Sequence, residues 1–312
     1  MTGEASAMNG GNRLTIVVVT YNSARFVRAC LSSLIANRPR MSHRIVVVDN
    51  ASSDTTAEII EAGFPDVELI RLPENIGFGR GNNAGMAHAP AQYYYLHNAD
   101  AYLQEDVLTP AVEMLDERPD IAIAGLPLVY PDHTPQVAAH AASTPAKWLI
   151  QATGLVPFVR RQVARNPDGI LARTIRATPF GRSFATTYGS KKAFVTPYDW
   201  VCGASMFIRH DALEALDGGF DPQIFIYGED EDICLRARDE GYTVVQIDTT
   251  PVIHEFGWGT SVRSSQVVVD HKLKGLSVMI DRHFSKRPIA RLTMRVLLRL
   301  KHIGWSLAAR RN

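Results

Sequence analysis

Cysteine is scarce in this chain: three in 312 residues, Cys30, Cys202 and Cys234, far apart and each set in an apolar pattern. An odd, scattered set cannot form a disulfide framework, so all three are expected as reduced core residues. Long hydrophobic runs are lacking too. No stretch reaches the roughly 18 uninterrupted apolar residues of a membrane span, so the chain is expected to be cytoplasmic, soluble or peripheral at a membrane surface. Residues 1–12, rich in Gly, Ser and Asn, have neither the positive start nor the apolar centre of a signal peptide and are expected to be a flexible tail. Acid is missing where base collects: residues 286–312 hold eight Lys and Arg with no Asp or Glu, and residues 131–198 hold nine against Asp132 and Asp168. The formal net charge of +1 conceals these blocks, which suit phosphates, anionic lipid or nucleic acid, or are merely solvated.

What is present is a core-forming composition, 46% hydrophobic, sufficient at this length for one large α/β domain or two fused lobes. Leu14 to Thr20 (LTIVVVT) is a β-branched apolar run followed by Tyr21-Asn22-Ser23 and a helical pattern through Phe26, Val27, Cys30, Leu31, Leu34 and Ile35. A second strand at 44–49 ends in Asp49-Asn50, and its helix runs from a cap at Asp54 to a stop at Gly63. A third at 67–72 leads through Asn75 to the glycine-rich 76–83 and a helix to about Ala89. A fourth at 93–97 runs into Asn98-Ala99-Asp100. This alternation predicts a doubly wound, mostly parallel sheet with its ligands at the carboxyl ends of the strands. Thr20, Tyr21, Asn22, Asp49, Asn50, Asn75 and Asn98 to Asp100 all fall just there, although the same residue types also make ordinary turns.

The glycine-rich piece, Gly77-Phe78-Gly79-Arg80-Gly81-Asn82-Asn83, follows the third strand and has Asn82 where the last glycine of a dinucleotide fingerprint should stand. As a helix start carrying Arg80 it could still hold a diphosphate through backbone N–H groups. Residues 199–208 read as a strand interrupted by Gly203-Ala204-Ser205. Beyond it, residues 218–242 carry four consecutive acids, Glu229 to Asp232, at the start of a helix that stops at Gly241. Acids favour a helix N-terminus for dipole reasons alone. At 3.6 residues per turn, however, Asp230 leads the stripe of Ile233, Cys234 and Ala237, while Glu231 lies further round. Phe220, Phe225 and Tyr227 upstream would give that carboxylate an apolar wall, which raises its basicity. A lone His254 after a short strand is by itself more often structural than a ligand.

Together VVVTYNS (17–23), VVVDNASSD (46–54), NIGFGRGNN (75–83), HNAD (97–100), WVCGASMFIR (200–209), GGFDPQIFIYGEDEDICLR (218–236) and the His254 segment resemble the inverting nucleotide-sugar glycosyltransferases of family 2, bacterial rhamnosyltransferase-like branch. The match runs in the family's order over about four-fifths of the chain. It implies a GT-A type fold, with a nucleotide-sugar-binding half at 13–125 and an acceptor-binding, catalytic half at 126–285. By that resemblance Asp49 accepts the imide N–H of uracil or thymine. Thr20 and Asn22 line the base and ribose pocket, Asn75 and Arg80 the ribose and diphosphate side, and Tyr21, Asn50, Gly77, Asn98 and Ala99 complete the donor-binding set. Asp100 and His254 hold Mg²⁺ or Mn²⁺, although Asn98 replaces the first acid of the family's metal motif. Asp230 is the implied base, flanked on the acceptor side by Glu229 and Asp232, with Trp200, Gly203 and Ala204 as floor; Trp200 suits core packing equally well.

The implied donor is dTDP-linked, first choice dTDP-L-rhamnose, or UDP-linked; the implied acceptor is a glycan or polyprenyl-diphosphate-linked sugar of cell-surface polysaccharide. Residues 286–312, with Arg291, Arg295 and Arg299 among Val296, Leu297, Leu300, Ile303 and Trp305, are expected as a basic amphipathic helix, on anionic lipid or docked on the protein. A nucleotidyltransferase would need a basic loop after the first strand, which is missing. A non-catalytic nucleotide- or carbohydrate-binding module would have no turnover to lose with Asp230. Nucleic acid is not an expected partner, since it would leave the strand-end acids without a role.

Overall fold

A computed structural model describes residues 11–152, 162, 165–166, 169–176, 194–255 and 266–309. The N-terminal tail to residue 10, most of the basic stretch between 153 and 193, and the residues just after Glu255 in the His254 segment lie outside the described residues.

The four strands predicted from the first hundred residues are β1 (Leu14–Thr20), β2 (His43–Asp49), β3 (Glu68–Arg71) and β4 (Tyr93–Asn98). They pair in parallel in the order β3-β2-β1-β4. The continuous apolar run of β1 has a simple cause: both faces of the sheet are covered. Ile16 and Val18 point into the core built with α1 (Val27–Ala36), α2 (Thr56–Gly63) and α4 (Leu108–Glu117). Val17 points into the opposite core, with Met86 of α3 (Phe78–His88). Such two-sided burial is what a parallel strand requires.

Beyond β4 come β5 (Ala101–Tyr102), β6 (Ile121–Gly125), β7 (Leu128–Val129), β8 (Pro135–Gln136) and β9 (Ala139–His140). Next are α5 (Pro145–Ala152), α6 (Ile170–Arg176), β10 (Val195–Pro197), β11 (Trp200–Val201) and β12 (Ser205–Arg209). The main sheet has eight strands in the order β10-β13-β6-β12-β4-β1-β2-β3, where β13 is Thr243–Ile247. β12 runs antiparallel between β4 and β6, and β13 is parallel to β6. The Gly203 interruption therefore divides two strands: β12 enters the main sheet while β11 pairs outside it with β9. Arg209, at the end of β12, is 8% exposed and gives its guanidinium to the carbonyls of Leu115, Arg118 and Ile121 and to Tyr93 Oη. It ties α4 to the sheet.

A second, four-stranded sheet, β5-β14-β7-β8, places β14 (Val252–His254) against β5, with His254 opposite Ala101. After β12, α7 (His210–Leu213) precedes α8 (Glu229–Asp239), and α9 (Gln266–His283) and α10 (Pro288–Ala309) close the chain. The two last helices share a satellite core of Trp148, Met279, Ile280, Phe284, Met294, Leu297 and Leu298. The tail helix is thus docked by one face. Within the apolar residues expected for it, Leu297 is buried at 8% while Val296, Leu300 and Ile303 face outward.

Candidate active site

At the end of β1 and β2 the polar side chains first satisfy one another. Asp49, 2% exposed, accepts the Thr20 hydroxyl at 3.0 Å, the Ser52 hydroxyl at 2.5 Å and the Ser52 N–H at 3.2 Å. Asn22 sits at φ 50°, and its Oδ1 accepts the Ser53 N–H at 2.8 Å. Tyr21 is exposed beside them at 40%. A buried carboxylate held by two hydroxyls keeps acceptor capacity on the oxygen that only Ser52 N–H reaches.

Asn50 does a different job from the one expected. Its Oδ1 takes the Ile76 N–H at 2.9 Å and its Nδ2 gives to Gly77 O at 3.1 Å, and it is 2% exposed. It braces the turn into α3. The glycine-rich start of α3 is corrected in the same way. Asn75 Oδ1 takes the Gly77 N–H at 2.9 Å, and Phe225 O takes the Phe78 N–H at 3.0 Å, so these N–H groups are not left for a phosphate. The glycines serve close packing instead: Gly77 has φ 90° and a Cβ there would lie 2.4 Å from Phe225 O, while one on Gly85 would lie 2.4 Å from Val17. Arg80 stands exposed on the first turn.

The end of β4 is joined to α8 through the Gly203-Ala204 turn. Ala204 O accepts the Asn98 N–H at 3.0 Å. A Cβ on Gly203 would sit 3.7 Å from that of Asp230. Ala99 is buried beside Asp100. Cys202 completes the link, for its thiol is pushed up to about 12 by burial and then by the charges of Asp230, Glu229 and Asp100.

Asp100 Oδ1 and His254 Nε2 lie 3.3 Å apart. The amide of Gln136 fixes the ring: its Nε2 gives to Val129 O and to His254 O, so its Oε1, 3.0 Å from His254 Nδ1, must accept from an Nδ1–H. That leaves the Nε2 lone pair facing Asp100 and accepting from Asn98 Nδ2 at 3.2 Å. Two lone-pair donors turned toward each other at this spacing fit adjacent positions around a divalent ion, whose ligands at about 2.1 Å and right angles are about 3 Å apart. Among the described residues no group of three His, Cys, Asp or Glu is available to such an ion, so a bound ion would draw its remaining ligands from elsewhere. Beneath the pair, His97 is pushed down to about 4 by burial and stays neutral, giving Nε2–H to Ala101 O at 3.0 Å.

The four acids of α8 divide. Asp230 is half-buried, and burial raises its pKa against the N–H groups of Glu231, at 2.9 Å, and Gly203. Glu229 is pushed up to about 8 by burial and by the Asp230 charge, and its Oε2 has no partner. Asp232 does not belong to the acceptor side. At 0% exposure it meets Arg236 Nε at 2.9 Å, Arg282 at 2.8 Å and His283 Nε2 at 2.9 Å, so it anchors α8 to α9. Glu231 does not lie round toward solvent. It is 4% exposed, where Ser143 N–H and Oγ hold it. Trp200 takes the packing role: it stacks on His140 at 4.0 Å between centroids and gives its indole N–H to Ala141 O at 3.1 Å. A cavity of about 320 Å³ beside His140 is lined by Asp199 and Arg238 at the far end of α8, away from Asp230. Sequence reasoning missed Gln136 and Glu231, and nothing in their local pattern could have revealed either.

Comparison with known proteins now gives this site its context. Residues 15–176 match the Glycosyl transferase family 2 model. The N-acetylglucosaminyl-diphospho-decaprenol L-rhamnosyltransferase of Mycobacterium tuberculosis is 24% identical over 282 residues, covering 86% of this chain and 85% of that one. The O-antigen biosynthesis protein RfbC of Myxococcus xanthus is 23% identical, over 79% of this chain and 18% of its own. Among solved structures, the mannosyltransferase PcManGT of Pyrobaculum calidifontis in complex with GDP-Man and Mn²⁺ superposes with TM-score 0.55 at 17% identity, over 96% of this chain and 73% of that one. GalNAc-T7 with UDP, GalNAc and Mn²⁺ gives 0.59 at 16%, over 93% and 54%. The fold is that of GT-A glycosyltransferases, and the chain belongs to glycosyl transferase family 2.

Proposed function

We propose that this glycosyltransferase is inverting and metal-dependent, and that it moves L-rhamnose from dTDP-L-rhamnose to a hydroxyl of a lipid-linked glycan at the cytoplasmic face of a membrane. The observation that carries the reading is that the Gly203-Ala204 turn meets both the helix start bearing Asp230 and the end of β4, which leads to Asp100 and its neighbour His254. A base and a site for a leaving diphosphate must flank one anomeric carbon for a single in-line displacement. Asp230 takes the proton of the acceptor hydroxyl as that oxygen bonds to the anomeric carbon. The bond to the diphosphate breaks with its electron pair leaving on the nucleotide. Asp100 and His254 would hold Mg²⁺ or Mn²⁺, which when bound supplies Lewis-acid stabilisation of the leaving diphosphate, and Arg80 adds a cation on that side. Asp49 reads the imide edge that thymine and uracil share, so both nucleotides belong in the test. The rhamnosyl choice follows the mycobacterial relative, as does the lipid-linked acceptor.

The test is a screen of sugar release from dTDP-, UDP- and GDP-sugars with Mg²⁺ or Mn²⁺. Turnover is expected with a dTDP- or UDP-sugar and should be abolished by chelation. Asp100→Ala should weaken donor binding and turnover together by about tenfold or more. A GDP-sugar as the single donor, or turnover unaffected by chelation, would overturn the reading.

A further inference from the structure

We propose that α10 carries a lipid-docking face whose occupant is the surface of an anionic bilayer, deepening the reading of a lipid-linked acceptor on which its use rests. Ile289, Leu292, Val296, Leu300 and Ile303 are 83%, 65%, 50%, 60% and 56% exposed. Their spacings of three, four, four and three residues place all five within a stripe about 80° wide. The opposite face, Met294 and Leu298 at 0% and 1%, is buried against α9, so the helix is apolar twice over. Single exposed aliphatics are ordinary, but a continuous row along a helix marks a contact surface.

Charge selects the occupant. Arg295 and Arg299 border the stripe on one side, and no acid occurs in residues 286–312. Arg295 is shared with Asp281 of α9 at 2.5 Å, whereas Arg299 is exposed. Beside α10, α5 packs through Trp148, whose ring lies under Lys301, and exposes Leu149 and Ile150 at 50% and 41%. Apolar residues along one face with arginines at its margin is the pattern of a helix lying in the plane of a negatively charged interface. The stripe, about 21 Å long at 1.5 Å per residue, lies along such a surface and does not cross it. No described helix is long and apolar enough to span.

The experiment floats the full chain with phosphatidylglycerol-containing vesicles and with pure phosphatidylcholine vesicles at low salt. Binding is expected to the anionic vesicles and to weaken with salt. The triple variant Leu292→Ser, Val296→Ser, Leu300→Ser should lower partition about tenfold or more, and Arg299→Gln about fivefold. Donor hydrolysis in the absence of vesicles should be unchanged, which separates this proposal from the catalytic one. If the triple variant misfolds, Ile289→Ser at the most exposed position reads the same surface. Equal flotation of native and stripe variants, or no flotation of the native chain, overturns the proposal. So does a native dimer that the stripe variants turn into monomer, since a second copy would then be the occupant.

Discussion

Glu229 and Asp232 are both buried in the first turn of α8, at 7% and 0% exposure, yet their surroundings drive them in opposite directions. Asp232 faces Arg236, Arg282 and His283, and these partners hold its carboxyl below the usual range against burial, which alone would raise it. Glu229, with Asp230 beside it, pairs with no cation among the described residues; burial raises both. The helix dipole favours acids at all these positions, so the dipole does not distinguish them. What differs is the neighbour: α9 supplies cations to Asp232, and no cation among the described residues pairs with Glu229. One turn thus anchors a helix and carries the carboxylate proposed as the base.

The sharpest way to break this comparison is to remove one carboxylate from each side. Asp230→Asn should lower kcat by about 10²–10⁴-fold and leave the urea midpoint where it was or higher, because no ion pair is lost. Asp232→Ala should do the reverse. It removes the carboxylate shared by Arg236, Arg282 and His283, leaving Arg282 with Asp221 and Arg236 with the carbonyls of Leu216 and Gly219, and should cost about 3 kcal/mol of folding stability, the low end for a broken buried pair, while nucleotide binding by the folded fraction persists. Equal loss of stability in the two variants would mean that the division drawn along this turn does not hold.

Across the cleft the same logic applies to a partner remote in sequence. Gln136 fixes the tautomer of His254 from the Nδ1 side, away from the Nε2 atom that faces Asp100 and Asn98. Gln136→Met should therefore weaken Mn²⁺ binding about 10–100-fold, read by titration in the presence of nucleotide, with little change in the urea midpoint. A His254 that served only as a structural residue would show no such dependence.

These partners mark the limit of what was legible beforehand. β1 to β4 could be read because a strand buried on both faces must be a continuous β-branched run, and α8 because its apolar stripe and its stop at Gly241 are local signals. Helical periodicity singled out Asp230 as the inward carboxylate, yet Asp230 is half-buried while Glu229, Glu231 and Asp232 are buried. The burial of Glu231 was not legible, because it depends on Ser143, 88 residues away. Asp232 depends on Arg282, 50 residues on, and His254 on Gln136, 118 residues back. Asn50 was misread for a related reason: a polar residue at a strand end looks alike whether it meets a ligand or satisfies the backbone of a turn 26 residues later. Periodicity reports which face a residue takes, not which distant side chain waits there.

The smallest effect, and the one that isolates the electrostatics, is in pH dependence. Glu229 has a folded pKa of about 8 against an ordinary value of 4.5. Below the ordinary value both folded and unfolded chains carry the proton, and its contribution to stability is fully present. As pH rises toward 8 the unfolded carboxyl ionises while the folded one resists, so that contribution is lost. Asp232, with its folded pKa lowered, behaves oppositely: its contribution is present above the ordinary value of 3.8 and is lost as pH falls through the folded pKa. Glu229→Gln removes the first slope and leaves the second. In urea unfolding at pH 6 and pH 9, the variant should therefore gain on the native chain by about 1 kcal/mol or more at the higher pH, relative to the lower. Parallel pH profiles would mean that a cation or water reaches the unpartnered Oε2, and that the cleft side of the turn is not the cation-free environment on which the basicity of Asp230 depends.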